Sequence, residues 1–141
     1  MRPRIIQPGD QAWLGGVAVY LEARGEPPRG QRAVAHVILN RVYHGGYPST
    51  VEDVVLQDQA FSPFMPTDPQ YATAGQLIQA FRAWERAQYE QDFTGGATAF
   101  HAITIPKPDT PYWHGMIPTI EIGEHRFYRE KRCATNSGGD R

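Results

Sequence analysis

The chain has 141 residues, about the size of one domain and enough to bury a single core. Its 40% hydrophobic and 11% aromatic shares are those of a globular protein, and a net charge of -1 excludes the strongly basic surface of a nucleic-acid binder and argues against simple charge capture by an anionic envelope. Its one cysteine, Cys133, cannot close an internal disulfide, no apolar run approaches the ~20 residues that span a bilayer, and residues 1–13 hold no apolar segment of signal-peptide length.

Asp10 is placed to cap a first helix in which Trp13, Val17 and Leu21 recur every four residues, with Leu14 and Ala18 beside them. Glu22 then falls in the last turn, and Gly25 is the natural stop. A last turn presents unpaired carbonyls and the negative end of the helix dipole, which disfavours an ionised carboxylate and lets Glu22 hold its proton; Arg24 acts in the opposite sense. Glu26 precedes Pro27 and Pro28, which cannot continue the first helix but suit the start of a second, where the positive dipole end favours a charged carboxylate. Two neighbouring acids are thus pushed in opposite directions. The second helix runs on to Val42, with Asn40 and Arg41 at its end expected to cap and brace.

Pro48-Ser49-Thr50 opens a short third helix, with Thr50 as N-cap, Asp53 three residues on, and an apolar face of Val51, Val54 and Val55. Gln59 to Pro66 is a proline-punctuated loop carrying Phe61 and Phe64. Asp68-Pro69 then starts the longest helix, with a core stripe of Tyr71, Ala74, Leu77, Ile78, Phe81 and Trp84. Gly95-Gly96 breaks it, Ala97 to Ile103 is strand-like, and Thr104 to Pro118 is a long loop. Ile117 to Ile122 and His125 to Arg129 form a hairpin across Gly123-Glu124. The expected fold class is α+β, mainly helical with a small hairpin region, in which residues 1–133 form one domain and 134–141 a disordered tail. The groove of such a domain lies between its helical part and its loop and sheet part.

Paired carboxylates with opposed environments are how glycoside-cleaving enzymes obtain a neutral acid beside a charged group at neutral pH. A glutamate near a helix end is also, more ordinarily, a solvated residue. His36, His44, His101, His114 and His125 show no HExxH spacing and no paired cysteines accompany them, so no metal ligand set is assigned and no cofactor is expected. No GxSxG elbow and no glycine-rich phosphate loop occurs.

As a whole, the stretch Glu22-Ala23-Arg24-Gly25-Glu26-Pro27 running on to Asn40-Arg41-Val42 resembles the opening motif of the SleB-type cell-wall hydrolases, the family of the spore-cortex lytic enzymes. The resemblance continues through Tyr47-Pro48, the helix from Thr50 to Leu56, Gln59-Ala60-Phe61-Ser62, the Gly95-Gly96-Ala97 turn leading to Phe100, the region of Trp113, and His125-Arg126-Phe127-Tyr128, about residues 12 to 129. His101 and the proline-rich run from Thr104 to Tyr112 depart from the pattern. The resemblance implies a lysozyme-like catalytic domain acting on peptidoglycan, with Glu22 in a position like that of the glutamate in the transglycosylase ES motif. That glutamate would protonate the glycosidic oxygen between N-acetylmuramic acid and N-acetylglucosamine, then act as base on the muramic C6 hydroxyl to leave a 1,6-anhydro end.

Gln59, Phe61, Ser62, Tyr112 and Trp113 are the candidate sugar contacts, rings for stacking and neutral groups for hydroxyls and acetamides. A hydrolytic muramidase would instead need a second carboxylate about 5 Å away or somewhat farther, for which Glu26, Asp53, Asp58 and Asp109 are the candidates. A zinc amidase and a glycan-binding domain without catalysis are the remaining readings. The expected partner is the peptidoglycan glycan strand, met by a monomer. A chain made in the cytoplasm without a leader would reach the wall through a separately made lesion, as phage endolysins do, or on a particle, unless an export signal has been trimmed away.

Overall fold

The computed structural model describes residues 12–57 and 73–131. Four helices come first, α1 (Ala12–Ala23), α2 (Pro28–Tyr43), α3 (Val51–Leu56) and α4 (Ala74–Ala87). Three strands follow, β1 (Ala99–Ala102), β2 (Ile117–Ile122) and β3 (His125–Arg129), with one 3-10 turn at Pro111–Trp113 before β2. This is the α+β order that the sequence predicts. No helix among the described residues is long and apolar enough to cross a membrane. Asp10, Asp58, the loop from Gln59 to Pro66, Cys133 and the tail lie outside the described residues.

The seam between α1 and α2 forms as its residues dictate. Arg24 N–H donates to Tyr20 O at 3.0 Å and Glu26 N–H to Ala23 O at 2.9 Å, and Gly25 between them takes φ +88°, the left-handed conformation that glycine adopts without a Cβ clash. Pro27 is the N-cap of α2 and Pro28 its first residue, where the missing N–H would be unpaired in any case. α2 is the centre of the molecule and touches α1, α3, α4 and β2. Its Ala33, Val34, Ala35, Val37, Ile38 and Leu39 are all buried, and fully burying an aliphatic side chain such as Ile38 or Leu39 contributes roughly 1.5–3 kcal/mol.

α1 lies unusually close to α4 because two glycines face it. A Cβ on Gly15 would run into the Trp84 ring, and one on Gly16 would come within 2.8 Å of Phe81 Cγ. That close approach changes which face of α4 is core: Ala80, Ala83, Trp84 and Ala87 are buried, whereas Ile78, expected in the stripe, is 50% exposed. Trp13 of α1 is likewise turned outward. α4 also differs in its limits. It begins at the Thr73 cap, whose hydroxyl accepts from Gln76 N–H at 3.1 Å, not at Asp68-Pro69. It ends at Ala87, ahead of Gly95-Gly96, so at 14 residues it is shorter than α2 at 16.

The sheet is antiparallel in the order β1-β3-β2. β2 and β3 form the predicted hairpin, with Gly123 at φ +58° in its turn. β2 is an edge strand, so Pro118, which has no N–H to give, removes no ladder bond, and the register shifts between Pro118 and Ile120. Alternation along β3 gives the sheet two faces. Phe127, with Ile122 and Phe100, closes the main core, while Tyr128 packs on Ala99, Met116 and Trp113 in a second, smaller cluster.

Candidate active site

Glu22 sits on the last turn of α1, partly buried, two residues after the buried Tyr20. The nearest cation in sequence, Arg24, donates Nη1 to the Tyr20 hydroxyl at 3.0 Å and stacks over that ring at 5.1 Å. Glu26 is placed by both helices and by the sheet. Its backbone carbonyl accepts from Gln31 Nε2 at 3.0 Å, and its Oε1 accepts from Glu124 N–H at 3.0 Å in the hairpin turn. Gly123 leaves the room for this contact, since a Cβ there would run into Glu26 Oε1 and reach Pro27 Cδ at 3.0 Å.

The turn delivers His125, the first residue of β3, to the same place. Its ring lies 4.8 Å from that of Phe100 at 59° and 6.1 Å from that of Phe127 at 90°. Burial pushes the imidazole below its ordinary value of 6.5, against the opposing charges of Glu26, Glu22 and Glu124. The charges of Glu26 from the α1–α2 turn, Glu22 from the end of α1 and Glu124 from the hairpin turn all act on His125. In the sequence, Phe100 stands out only as a member of the family motif, and His125 as a motif member and as one of five histidines; the signal that could have found His125 is its position directly after the Gly123-Glu124 turn.

The other predicted residues divide. Gln59, Phe61 and Ser62 lie outside the described residues. Trp113 belongs to the sheet face opposite His125, edge-on to Tyr128 at 5.4 Å and to His101 at 5.7 Å. Tyr112, 46% exposed, joins a polar cluster with Tyr47, Arg41 and Glu130. Tyr47 donates to Glu130 Oε2 at 2.6 Å, which makes Tyr112 the donor in the 2.7 Å contact between the two hydroxyls. Burial and the bond to Glu130 raise the Tyr47 hydroxyl well above its ordinary range. The structure therefore does not gather Tyr112 and Trp113 around Glu22. Asp53 is exposed at the start of α3, and Asp109, also exposed, meets His114 Nε2 at 2.9 Å.

Asn40 and Arg41 brace. Asn40 Nδ2 donates to Ala97 O at 2.9 Å and to Asp92 Oδ2 at 3.1 Å, and Arg41 Nε donates to Thr98 O at 2.7 Å. Among the described residues no three His, Cys, Asp or Glu side chains converge as a metal site would require. A cavity of about 630 Å³ opens between the start of α2 and α4, lined by Arg32, Arg82, Arg86, Gln79 and Ile78 among others, and none of Glu22, Glu26 or His125 is among its described walls.

The family model described as Cell Wall Hydrolase matches residues 25–128. The chain belongs to the cell wall hydrolase family. The spore cortex-lytic enzyme of Bacillus cereus is 36% identical over 115 residues, covering 78% of this chain and 40% of the relative. The spore cortex-lytic enzyme of Halalkalibacterium halodurans is 42% identical over 112 residues, covering 78% and 32%. The chain thus spans well under half the length of these relatives. The catalytic domain of the germination-specific lytic transglycosylase SleB from Bacillus anthracis superposes with a TM-score of 0.68 at 29% identity, over 91% of this chain and 100% of that domain. The cell wall hydrolase fold is therefore that of a SleB catalytic domain, lysozyme-like and α+β, and Glu22 lies just upstream of the part matched by the family model.

Proposed function

We propose that this chain cleaves peptidoglycan glycan strands at the β-1,4 bond between N-acetylmuramic acid and N-acetylglucosamine, as a lytic transglycosylase with Glu22 as acid and then base. The likeness to a lytic transglycosylase over the whole of that catalytic domain carries this assignment. A partly buried carboxylate on the last turn of α1 supplies the group such chemistry needs.

Glu22 gives its proton to the bridging oxygen as the bond to C1 of the muramoyl residue breaks and positive charge grows on that carbon. The Glu22 carboxylate left behind takes the proton from the C6 hydroxyl, whose oxygen closes on C1. The products are a free N-acetylglucosamine hydroxyl and a 1,6-anhydro muramoyl end, and Glu22 has its proton back. No water is consumed and no second carboxylate is required. The hydrogen bond that ties Glu26 Oε1 to the hairpin turn supports this one-carboxylate route over a hydrolysis in which Glu26 would attack or activate water. Gln59, Phe61 and Ser62 are retained as the sugar contacts, and no contact with the bond being cleaved is assigned to Tyr112 or Trp113.

Glu22→Gln tests the assignment. Loss of a general acid and base costs several kcal/mol of barrier, so the variant should release muropeptides from purified peptidoglycan at least about a hundredfold more slowly, with unchanged circular dichroism. Lysis within a few-fold of the parent would refute the role. A chain that only binds glycan would be indifferent to this substitution.

A further inference from the structure

The cavity between the start of α2 and α4 has no part in the chemistry above, and its polar walls share one property. Arg32, Arg82, Arg86 and Gln79 line it, and no aspartate or glutamate is among its described walls. Arg82 and Arg86 stand four residues apart on α4, so two like charges face the same space, an arrangement that weakens a helix. Arg82 has no carboxylate partner among the described residues to offset it.

The other donors are held in place. Glu90 takes Nε of Arg32 at 3.2 Å and Nε of Arg86 at 3.7 Å, so the Nη groups are the ends of both that are left for the cavity. Gln31, fully buried, donates Nε2 to Glu26 O at 3.0 Å and to Gln79 Oε1 at 3.2 Å. A backbone carbonyl only accepts, so the nitrogen of Gln31 must face Glu26, and Gln79 can then meet that nitrogen only with its oxygen. The amide N–H groups of Gln79 are thereby left for the cavity it lines. Three guanidinium groups and one amide thus offer donors alone. Pro28, Ala83 and the half-exposed Ile78 add apolar surface beside them.

A wall of donors suits a ligand whose polar atoms only accept, and guanidinium forks match carboxylates two oxygens at a time. The 630 Å³ of space lies within the roughly 300–1,000 Å³ of pockets that hold a small ligand. In peptidoglycan the carboxylates sit on the stem peptide, beside the methyl groups of its alanines, and that peptide hangs from the muramoyl residue whose C1 bond is cut. The cavity opens at Pro28, just past the seam that follows Glu22. The net charge of -1 conceals this local excess of positive charge.

We infer that the α2–α4 cavity is a seat for the stem peptide of peptidoglycan, with Arg32, Arg82 and Arg86 on its carboxylates, Gln79 donating to a further oxygen and Ile78 against an alanine methyl. The inference rests on peptidoglycan being the substrate, and adds the part of that polymer other than sugar that the chain recognises.

The test titrates the parent, at low salt, with a synthetic stem peptide of L-alanine, D-glutamate, a diamino acid and D-alanine that carries no sugar, and follows backbone amide shifts by NMR. Shifts should centre on Ile78, Gln79 and Arg82, and the same peptide with its carboxylates amidated should bind at least about fivefold more weakly. Arg82→Gln, which keeps a good helix former on an exposed face, should weaken binding about fivefold, and Arg82→Lys should weaken it less. Lys131→Gln removes the same charge outside the cavity and should bind within about twofold of the parent. Equal binding of the free and amidated peptides, an unchanged Arg82→Gln or an equal loss in Lys131→Gln would overturn the seat. A glycerol phosphate polymer that binds at these residues where the peptide does not would also overturn it, in favour of wall phosphate. Because the probe has no sugar, the measurement does not pass through Glu22: peptide binding by a parent that leaves glycan uncut would uphold the seat and remove only the cleavage reading.

Discussion

Glu26 and Gly123 meet across the join between the helices and the sheet, and their contact gives the Glu26 carboxylate a structural partner. The Glu26 carboxylate takes the Glu124 N–H only because residue 123 has no side chain. Alanine at 123 would need both a left-handed φ and a displaced Glu26, so Gly123→Ala should lower stability by about 1–3 kcal/mol in urea unfolding. Glu26→Gln keeps an oxygen that accepts from Glu124 and should cost about 1 kcal/mol or less, with peptidoglycan lysis near the parent's. A loss of activity as large as for Glu22→Gln would favour a two-carboxylate hydrolase. The place of Glu22 on the last turn of α1 was legible in the sequence because helix period, Gly25 and the two prolines are local signals. The partner of Glu26 was not, since it lies 98 residues away and depends on how the hairpin docks. His125 was legible as a motif member, but its packing on Phe100 and its buried Nδ1 depend on how β3 pairs with β1.

Among the elements, the helix pair α1–α4 carries the sharpest packing constraint. Glycine within a helix costs roughly 1 kcal/mol against alanine, so Gly15→Ala and Gly16→Ala would each stabilise an isolated α1. In the folded protein the added Cβ at 15 would occupy the space of the fully buried Trp84, and the one at 16 would press on the partly buried Phe81. Overpacking of that kind costs about 1–3 kcal/mol, and the rigid environment of Trp84 makes Gly15→Ala the more damaging of the two by thermal melting. A stabilised Gly15→Ala would contradict the close approach of the two helices. The same approach explains why the face of α4 was misread. A stripe drawn through large apolar residues includes Ile78, whereas a helix against glycines buries its alanines. The start of α4 was written in Thr73-Ala74-Gly75-Gln76, a capping signal overshadowed by Asp68-Pro69. By contrast, the β2–β3 hairpin follows residue for residue from its alternation and its Gly123-Glu124 turn.

Across the whole molecule, buried polar groups tie the central helix to the chain that follows α4. His36, fully buried, meets Glu90 Oε2 at 2.8 Å, and Arg32 reaches the same oxygen at 3.2 Å. Asp92 accepts from the Thr94 hydroxyl at 2.6 Å and from the Thr94 and Gly96 N–H groups at 2.8 Å each. Burial alone would raise the Asp92 pKa, but these donors and His36 outweigh it and hold the carboxyl below its ordinary 3.8. Its contribution to stability is therefore complete above 3.8 and lost as pH falls through the lower folded value. His125 acts in the same direction at higher pH, because the unfolded chain takes up its proton near 6.5 while the folded one resists, so stability declines with acid from about 6.5 downward. The urea midpoint should fall in two stages on acidification, and His125→Phe should abolish the first. A midpoint that rises below 6.5 would contradict both signs.

The most direct test of Glu22 as acid and base is mass spectrometry of the glycan fragments released from purified peptidoglycan by the parent and by Glu22→Gln. The parent should yield muramoyl ends lighter by one water than hydrolysed ends, and the variant should release almost none. Hydrolysed ends from the parent, or equal release by Glu22→Gln, would contradict it.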